Sequence, residues 1–440
     1  MMSESPHKGG AAVLNGPAES HDPNPSDAGH NGGHGHHEAR PLAGNSAVPF
    51  WTPGVIVIAT LAATGLAILL ARLVFGLEAV TNLNDQYPWG IWIGIDVASG
   101  VALAAGGFTM AFIAHVLNIE RYHVLVRPAL LTAAIGYTFV GLGVAIDLGR
   151  YYNIWHVMMP SMWQGNSVLF EVGMCVMIYL SVLYIEFLPI VCERFMGRVD
   201  LPGVLAKLNG FFEGLLRVLD RTLSKVMSFF IIAGVVLSCA HQSSLGSLMA
   251  IAPSKLYPLW HTPVLPLLFL LSAFAVGLSM AIFESILASR SFKRPIEMFV
   301  LSPLARMIPL LLVLYFAAKV IDLVNRDAWP LLFEFNVRAV MFWIEIGVGV
   351  IIPTFLFLSH NLRRRPGWLF ASAAMVVFGV FLNRFNVFVT GYTPPYMTER
   401  YYPAWTEVML TVGMVALIVF LYRIWVFVFP VLPAEEADHA

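Results

Sequence analysis

Ten stretches of this 440-residue chain are each long and apolar enough to cross a bilayer, at roughly 54–77, 91–117, 127–147, 167–190, 226–250, 263–289, 300–323, 336–358, 367–384 and 405–429. About 20 apolar residues suffice, because a helix rises about 1.5 Å per residue and the hydrocarbon core is about 30 Å thick. The ninth stretch is the weakest, being short and ended by Asn383 and Arg384. Composition agrees: 58% of residues are hydrophobic and 12% charged, against roughly 25% charged in soluble domains. We therefore expect an all-α integral membrane protein with about ten transmembrane helices.

The same numbers remove several functions. A net charge of −1 gives no case for nucleic-acid binding. Cys175, Cys192 and Cys239 are scattered, with neither iron–sulfur spacing nor a disulfide framework. Any redox centre must come from a partner or a diffusible carrier. Residues 1–50 are polar and rich in Gly, Pro, Asn and His, with no basic start leading into an apolar core, so they do not read as a cleavable signal. The run HNGGHGHH, with His30, His34, His36 and His37, reads as a disordered tail, because Gly spacers preorganise no metal geometry. The transmembrane domain is expected over 51–430, followed by a short acidic tail at 431–440.

Short-loop charge sets the orientation. Loops 118–127, 191–225, 290–299 and 359–366 hold 14 Lys and Arg, and the alternate loops hold 4, which places both termini in the cytoplasm. Within 191–225, Leu205 to Arg221 has helical amphipathic spacing and is expected to lie along the membrane surface. The external loops are rich in Trp, Tyr, Pro and Asn. Aromatic belts form at both surfaces, so a one-sided concentration points to a binding surface. The segment His241–Pro263, HQSSLGSLMAIAPSKLYPLWHTP, stands out among them and is read as an external segment that builds a pocket for a polar-headed, apolar-tailed ligand.

Ionisable residues inside apolar spans are costly and usually face the interior or a cavity. Near the external side are Asp96, Asp147, Glu171, His241, Lys319, Asp322 and Arg338; Glu345 lies deeper, and Glu186 and Glu284 approach the cytoplasmic end. Lys319 and Asp322, three apart, are expected to pair. Arg338 and Glu345, seven apart, share a helix face, which lets the arginine neutralise the acid. Glu171 and Glu186 fall within about 60° of each other around one helix. Asp96 precedes a strip of small residues, Ser99, Gly100, Ala104 and Gly107, that admits a close neighbour.

Several segments together resemble a known family: NLNDQYPWGIWIGIDVASGVALAAGGF (82–108), DLGR (147–150), GNSVLFE (165–171), HQSSLGSL (241–248), LWHTPVLPLLFLLSAFAVGLSMAIFES (259–285) and TGY (390–392). They are similar to the NrfD/PsrC membrane subunits of quinone-linked oxidoreductases. HQSSLGSL followed by LWHTP is most similar to the Hyb-type branch, which serves respiratory [NiFe]-hydrogenases. The resemblance implies mainly two four-helix bundles in a bacterial inner membrane, with the functional face periplasmic. It also implies an external ferredoxin-like iron–sulfur partner, large and small hydrogenase subunits or a molybdopterin subunit, and no haem in this chain. A menaquinone or ubiquinone site is implied near the external face. We assign its candidates as His241, Gln242, Ser243, His261, Tyr87, Asp96, Asp147 and Asn166, which offer hydrogen-bond partners for ring oxygens. A proton pathway is assigned to Glu171, Glu186, Glu284, Arg338 and Glu345.

Two other classes compete. A cytochrome b needs facing imidazoles inside the bundle, and no span carries two histidines about four turns apart. A secondary transporter fits ten spans, yet the polar concentration is external rather than at the midplane.

Overall fold

A computed structural model describes residues 48–432 apart from Leu201 and Thr398. The calls on the His-rich tail and the acidic C-terminal tail lie outside the described residues, except for their few innermost positions. The described chain is all helical, and ten helices are long and apolar enough to cross a membrane. They are α1 (Pro53–Phe75), α2 (Trp92–Val116), α3 (Glu120–Asp147), α4 (Val168–Phe195), α5 (Ala206–Ala250), α6 (Leu265–Ser291), α7 (Met298–Asn325), α8 (Val337–Leu358), α9 (Pro366–Thr390) and α10 (Trp405–Val428). Each matches one apolar stretch of the sequence.

The main departure is α5. Asn209–Ala250 is one unbroken helix of 42 residues, about 63 Å long at 1.5 Å per residue. That is twice the hydrocarbon thickness. The amphipathic segment expected to lie separately on the surface is therefore the first part of this helix. No proline falls between 209 and 250, so nothing in the backbone ends the helix where its character changes. Helix α9 also runs past Asn383 and Arg384, because both are buried among polar partners rather than left facing lipid.

Helix α2 is the most buried of the ten and packs on α3, α6, α9 and α10. Its Gly and Ala content makes that possible. A Cβ on Gly107 would lie 2.5 Å from the Ala133 Cβ of α3, as the small-residue strip leads one to expect. Three helices contain wide π turns, at Trp92–Ser99 and Phe112–Val116 in α2, Gly347–Ile351 in α8 and Asn386–Thr390 in α9. The turns at Trp92–Ser99, Gly347–Ile351 and Asn386–Thr390 carry or adjoin Asp96, Glu345 and Asn386, of which the last two are buried and Asp96 is half-buried. Helix α1 shows the opposite pattern, with Ile56, Val57, Leu70 and Val74 exposed in an apolar face that suits lipid.

A buried polar network ties α6, α7, α8 and α9 together. Lys319 Nζ of α7 lies 2.5 Å from Glu345 Oε1 of α8, with both side chains at most 5% exposed. Glu345 also accepts from Asn383 Nδ2 at 2.8 Å, Asn386 Nδ2 at 2.9 Å and Trp260 Nε1 at 2.9 Å. Arg384 donates to Asn383 Oδ1 at 2.6 Å and Ser272 Oγ at 2.9 Å, its guanidinium 3.5 Å over the Phe269 ring. Two expected pairings are thereby corrected. Asp322 bonds Arg326 at 2.6 Å and Thr262 at 2.5 Å, not Lys319. Arg338 lies over the Tyr257 ring at 4.5 Å, leaving Lys319 to neutralise Glu345. Local helical spacing favoured the wrong partners because a buried acid takes the cation that can share its desolvated space, from whichever helix.

Beside this network α8 and α9 meet at glycines: a Cβ on Gly379 would lie 2.2 Å from the Gly349 Cα. Gly379→Ala should cost roughly 1–3 kcal/mol by overpacking. Gly367→Ala on the same helix, which meets nothing within 4 Å, should be neutral or stabilising by up to about 1 kcal/mol. Thermal unfolding in detergent reads both, and equal effects at the two sites would reject the close-contact account. Lys319→Met should cost about 3–5 kcal/mol by stranding a buried carboxylate, and adding Glu345→Met should restore most of that loss. A double variant no more stable than the single would show that the pair is not the source.

Candidate functional site

The loops between α1 and α2, α5 and α6, and α9 and α10 are bound into one surface. Tyr257 N donates to Gly391 O at 2.8 Å and Thr393 N to Lys255 O at 2.7 Å, pairing the second loop with the third. Asn82 Nδ2 reaches Tyr402 O at 3.0 Å and Gln86 Nε2 reaches Tyr396 O at 2.9 Å, pairing the first with the third. Tyr87 stacks on Tyr401 at 5.9 Å and meets Tyr392 edge-on at 5.7 Å. Tyr401 in turn donates at 2.6 Å to the fully buried Glu407. Burial first, and then this bond, push the Tyr401 phenol above its ordinary range, so it remains a donor. Glu407 uses its other oxygen to accept from Asn82 N at 3.1 Å and Ala404 N at 2.7 Å, capping α10.

A cavity of about 670 Å³ opens beside this surface, between α3, α4, α5 and the loop 148–167. Its walls are mainly apolar, with Trp89, Val97, Met158, Met162 and Leu248 among them. Asp147, Asn153, His156, Gln164 and Ser167 supply the polar lining. Asp147 ends α3, and its Oδ1 is buried with no hydrogen-bond partner among the described residues. The α3 carbonyls around it are held by Arg72, whose Nε lies 2.7 Å from Ile146 O and Nη2 2.5 Å from Leu148 O. Arginine thus closes the helix end and leaves the aspartate free for the cavity.

A second cavity of about 290 Å³ lies on the other side of α3 and is lined by Asp96, Trp92, Gly143 and Leu410. Asp96 accepts from Thr411 Oγ1 at 3.0 Å. Gly143, whose added Cβ would sit 3.5 Å from the Asp96 Cβ, is one helical turn before Asp147, so the two aspartates are near neighbours. A third cavity of about 190 Å³ holds Glu284, Tyr422 and Arg423. Thr132, Met280, Phe283 and Ile418 line both the second and the third, which adjoin.

The eight expected quinone residues do not converge. Asp147 alone of the eight lines the 670 Å³ cavity; Asn166 is exposed between two lining residues, Gln164 and Ser167. Asp96 lines the second cavity. Tyr87 belongs to the tyrosine stack and donates to Met397 Sδ at 3.0 Å. His261 is half-buried and bonds Ala250 O at 3.2 Å. His241 and Gln242 are fully buried inside α5, with Ser243 half-buried beside them. The reading of HQSSLG as an external segment is therefore corrected: His241 precedes the end of α5 by nine residues, about 14 Å along the axis. The hydroxyls and amide are tolerated there because they bond backbone carbonyls. Gln242 Nε2 reaches Val101 O at 2.8 Å, Ser244 Oγ Ala240 O at 2.9 Å and Ser247 Oγ Ser243 O at 3.3 Å.

The five expected proton-pathway residues lie in four places. Glu171 and Glu186 both face α5, one bonded by Ser244 and the other with its Oε1 against the backbone at Gly234. Glu284 lies in the third cavity. Glu345 is held by Lys319, and Arg338 sits over Tyr257 in the loop surface. Sequence reasoning passed over Trp89, His156 and Gln164 as site residues, although the concentration of aromatics in 148–166 marked that loop. Arg72 and Glu407 were also missed; each is a charged residue at the end of an apolar stretch.

The family model described as polysulphide reductase, NrfD, matches residues 79–395, well over half of the chain. The probable Ni/Fe-hydrogenase 2 b-type cytochrome subunit of Escherichia coli is 34% identical over 407 residues, covering 92% of this chain and 97% of that protein. The menaquinone reductase integral membrane subunit of Nitratidesulfovibrio vulgaris is 25% identical over 380 residues, covering 81% of this chain and 86% of that protein. A selenate reductase subunit of Mesobacillus selenatarsenatis is 24% identical over 429 residues, 87% of this chain and 95% of its own length. A family match across most of the chain and a relative this similar from end to end lead to one assignment: the chain belongs to the NrfD family of integral membrane proteins.

Proposed function

We propose that this chain is the quinone-reactive membrane anchor of a respiratory oxidoreductase, and that the 670 Å³ cavity is its quinone site. One observation carries the reading. A roomy, mostly apolar cavity beside the aromatic loop surface holds an unpartnered buried carboxylate oxygen on Asp147, with His156 in the same lining. Ligand sites run from about 300 to 1,000 Å³, with apolar walls and a few placed polar groups. Menaquinone or ubiquinone needs hydrogen-bond partners for two ring oxygens and groups that exchange protons as it is reduced or oxidised. Asp147 and His156 supply such groups, Gln164 and Ser167 add neutral partners, and Trp89 and the methionines suit ring and tail.

Electrons would come from or go to a ferredoxin-like iron–sulfur subunit docked on the loop surface, which the charge bias puts on the periplasmic side of a bacterial inner membrane. Hydrogenase large and small subunits are the favoured catalytic partners, since the hydrogenase relative is more similar than the menaquinone reductase or selenate reductase relatives. Co-purification of a molybdopterin subunit in their place would redirect the reading to an anchor of the polysulfide-reductase type.

Haem does not fit these residues, although one relative's name includes b-type cytochrome. Among the described residues His241 is the histidine buried within the helices, and its ring contact is Tyr137 at 5.5 Å rather than an opposed imidazole. His115 and His123 touch edge-on with centroids 4.7 Å apart, which leaves no room for a macrocycle between them.

The test is kinetic, on the complete purified complex. Asp147→Asn should lower kcat/KM for quinone by about 10²-fold, the usual scale of a lost proton-transfer group. Transfer from the same donor to an artificial dye that bypasses the membrane subunit should persist. Quinone turnover unchanged in both Asp147→Asn and Trp89→Ala would place the site elsewhere.

A further inference from the structure

The loop 148–166 gathers soft donor atoms on one wall of the 670 Å³ cavity. His156, Met158 and Met162 all line it, together with Trp155. They come from two short 3-10 turns, Tyr151–Met158 and Pro160–Met162. Backbone bonds from Met159 N to His156 O at 3.1 Å and from Met162 N to Met159 O at 2.9 Å turn the chain twice, each closing a three-residue step. Trp163 Nε1 then donates to Val157 O at 2.9 Å and fastens the end of the segment to its middle. His156 and Met158 flank one side of that bond and Met162 adjoins the other. The fold thus brings one imidazole and two thioethers to the same wall.

These methionines are not core filler. Met158 is 64% and Met162 49% exposed, so both are open to an incoming ligand. A thioether is a soft, polarisable donor without charge. It favours a soft ion such as Cu(I) over hard, strongly hydrated cations, and imidazole suits copper as well. Asp147 in the same lining supplies a carboxylate charge to offset that of a bound cation. The Trp155 ring lies edge-on to that of His156 with centroids 4.4 Å apart, and an indole within about 6 Å of a cation attracts it through its π face. Among the described residues no three His, Cys, Asp or Glu gather into a metal site, so the thioethers set this cluster apart.

We propose that His156, Met158 and Met162 form a Cu(I) site on the wall of this cavity, with Trp155 beside the ion. One imidazole nitrogen and two thioether sulfurs give a neutral donor set that a monovalent d10 ion accepts with no change in oxidation state. The charge bias puts the loop outside the cytoplasm, away from the reduced thiols that would hold Cu(I) there. The site stands whether or not the cavity takes quinone. Its consequence alone rests on that reading: a bound ion would occupy the His156 nitrogen and part of the space that the quinone ring needs, and so would block the cavity.

Methionine oxidation reads the site without any turnover. Hydrogen peroxide passes one oxygen atom to a thioether, giving the sulfoxide and water, and a sulfur whose electrons are held by a metal reacts far more slowly. Ag(I) is the probe, because it is soft and monovalent like Cu(I) but does not cycle with peroxide. The full chain in detergent is titrated with silver nitrate in chloride-free buffer, treated with peroxide and read residue by residue by mass spectrometry. Met158 and Met162 should be protected together along one saturating curve, oxidising roughly tenfold more slowly when free Ag(I) is about ten times the dissociation constant. Met159, 46% exposed on the same loop but outside the cavity lining, should oxidise at an unchanged rate. His156→Ala should remove the protection at that Ag(I) concentration, and Met158→Leu should remove it at Met162. A native oxidation rate at Met159 in each variant checks that the loop is intact. Magnesium nitrate should protect none of the three. Protection of all three methionines alike, of none, or of Met158 and Met162 as strongly in the His156→Ala chain would overturn the proposal.

Discussion

Hydrocarbon supplies no hydrogen bonds, and that single deficit governs where everything polar in this chain goes. Outward-facing positions on α1 are aliphatic, while Lys319, Glu345, Asn383, Arg384 and Asn386 turn inward and bond one another. An isolated charge at such depth costs several kcal/mol. The ion pair and its three further donors to Glu345 offset that cost by satisfying both carboxylate oxygens. The geometric requirement is close backbone approach. Gly349 and Gly379 meet where α8 and α9 bring Glu345 to Asn383, and a side chain at either glycine would hold the helices apart.

The same deficit decides what sequence can reveal. Each span was legible, because twenty apolar residues are a one-dimensional signal that tertiary structure does not alter. The inward direction of Glu345 was legible for the same reason, whereas Glu171 is exposed. Partner choice was not. Lys319 and Asp322 are three residues apart and suggested a pair, yet Lys319 meets Glu345 from another helix and Asp322 takes Arg326 and Thr262. A spacing rule ranks contacts along one helix, whereas a buried charge selects among all helices that reach it. The π turns at Asp96, Glu345 and Asn386 were equally hidden, since nothing local in WIGIDVAS or GVGVI calls for an i to i+5 pattern.

The candidate site was legible in kind and misplaced in detail. Loop aromatics and Asp147 did mark the cavity, and the aromatic loop 148–166 forms much of its wall. HQSSLG misled because serine, glutamine and histidine read as surface residues when only composition is weighed. Within a helix, Ser244, Ser247 and Gln242 bond carbonyls directly and lose their claim on solvent. Once those bonds are granted, α5 continues without interruption, and its histidine is carried about 14 Å in from the helix end.

That placement gives α5 two faces with different surroundings. Leu245 and Leu248 point into the large cavity, while His241 and Ser244 point at the seam with α3 and α4. One helix therefore borders both the 670 Å³ cavity and the buried polar side chains of Tyr137, Tyr179 and His241. No side chain in the described contacts bridges them directly. A shift of α5 along its axis or about it would move both linings at once, whereas a change confined to either lining would leave the other in place.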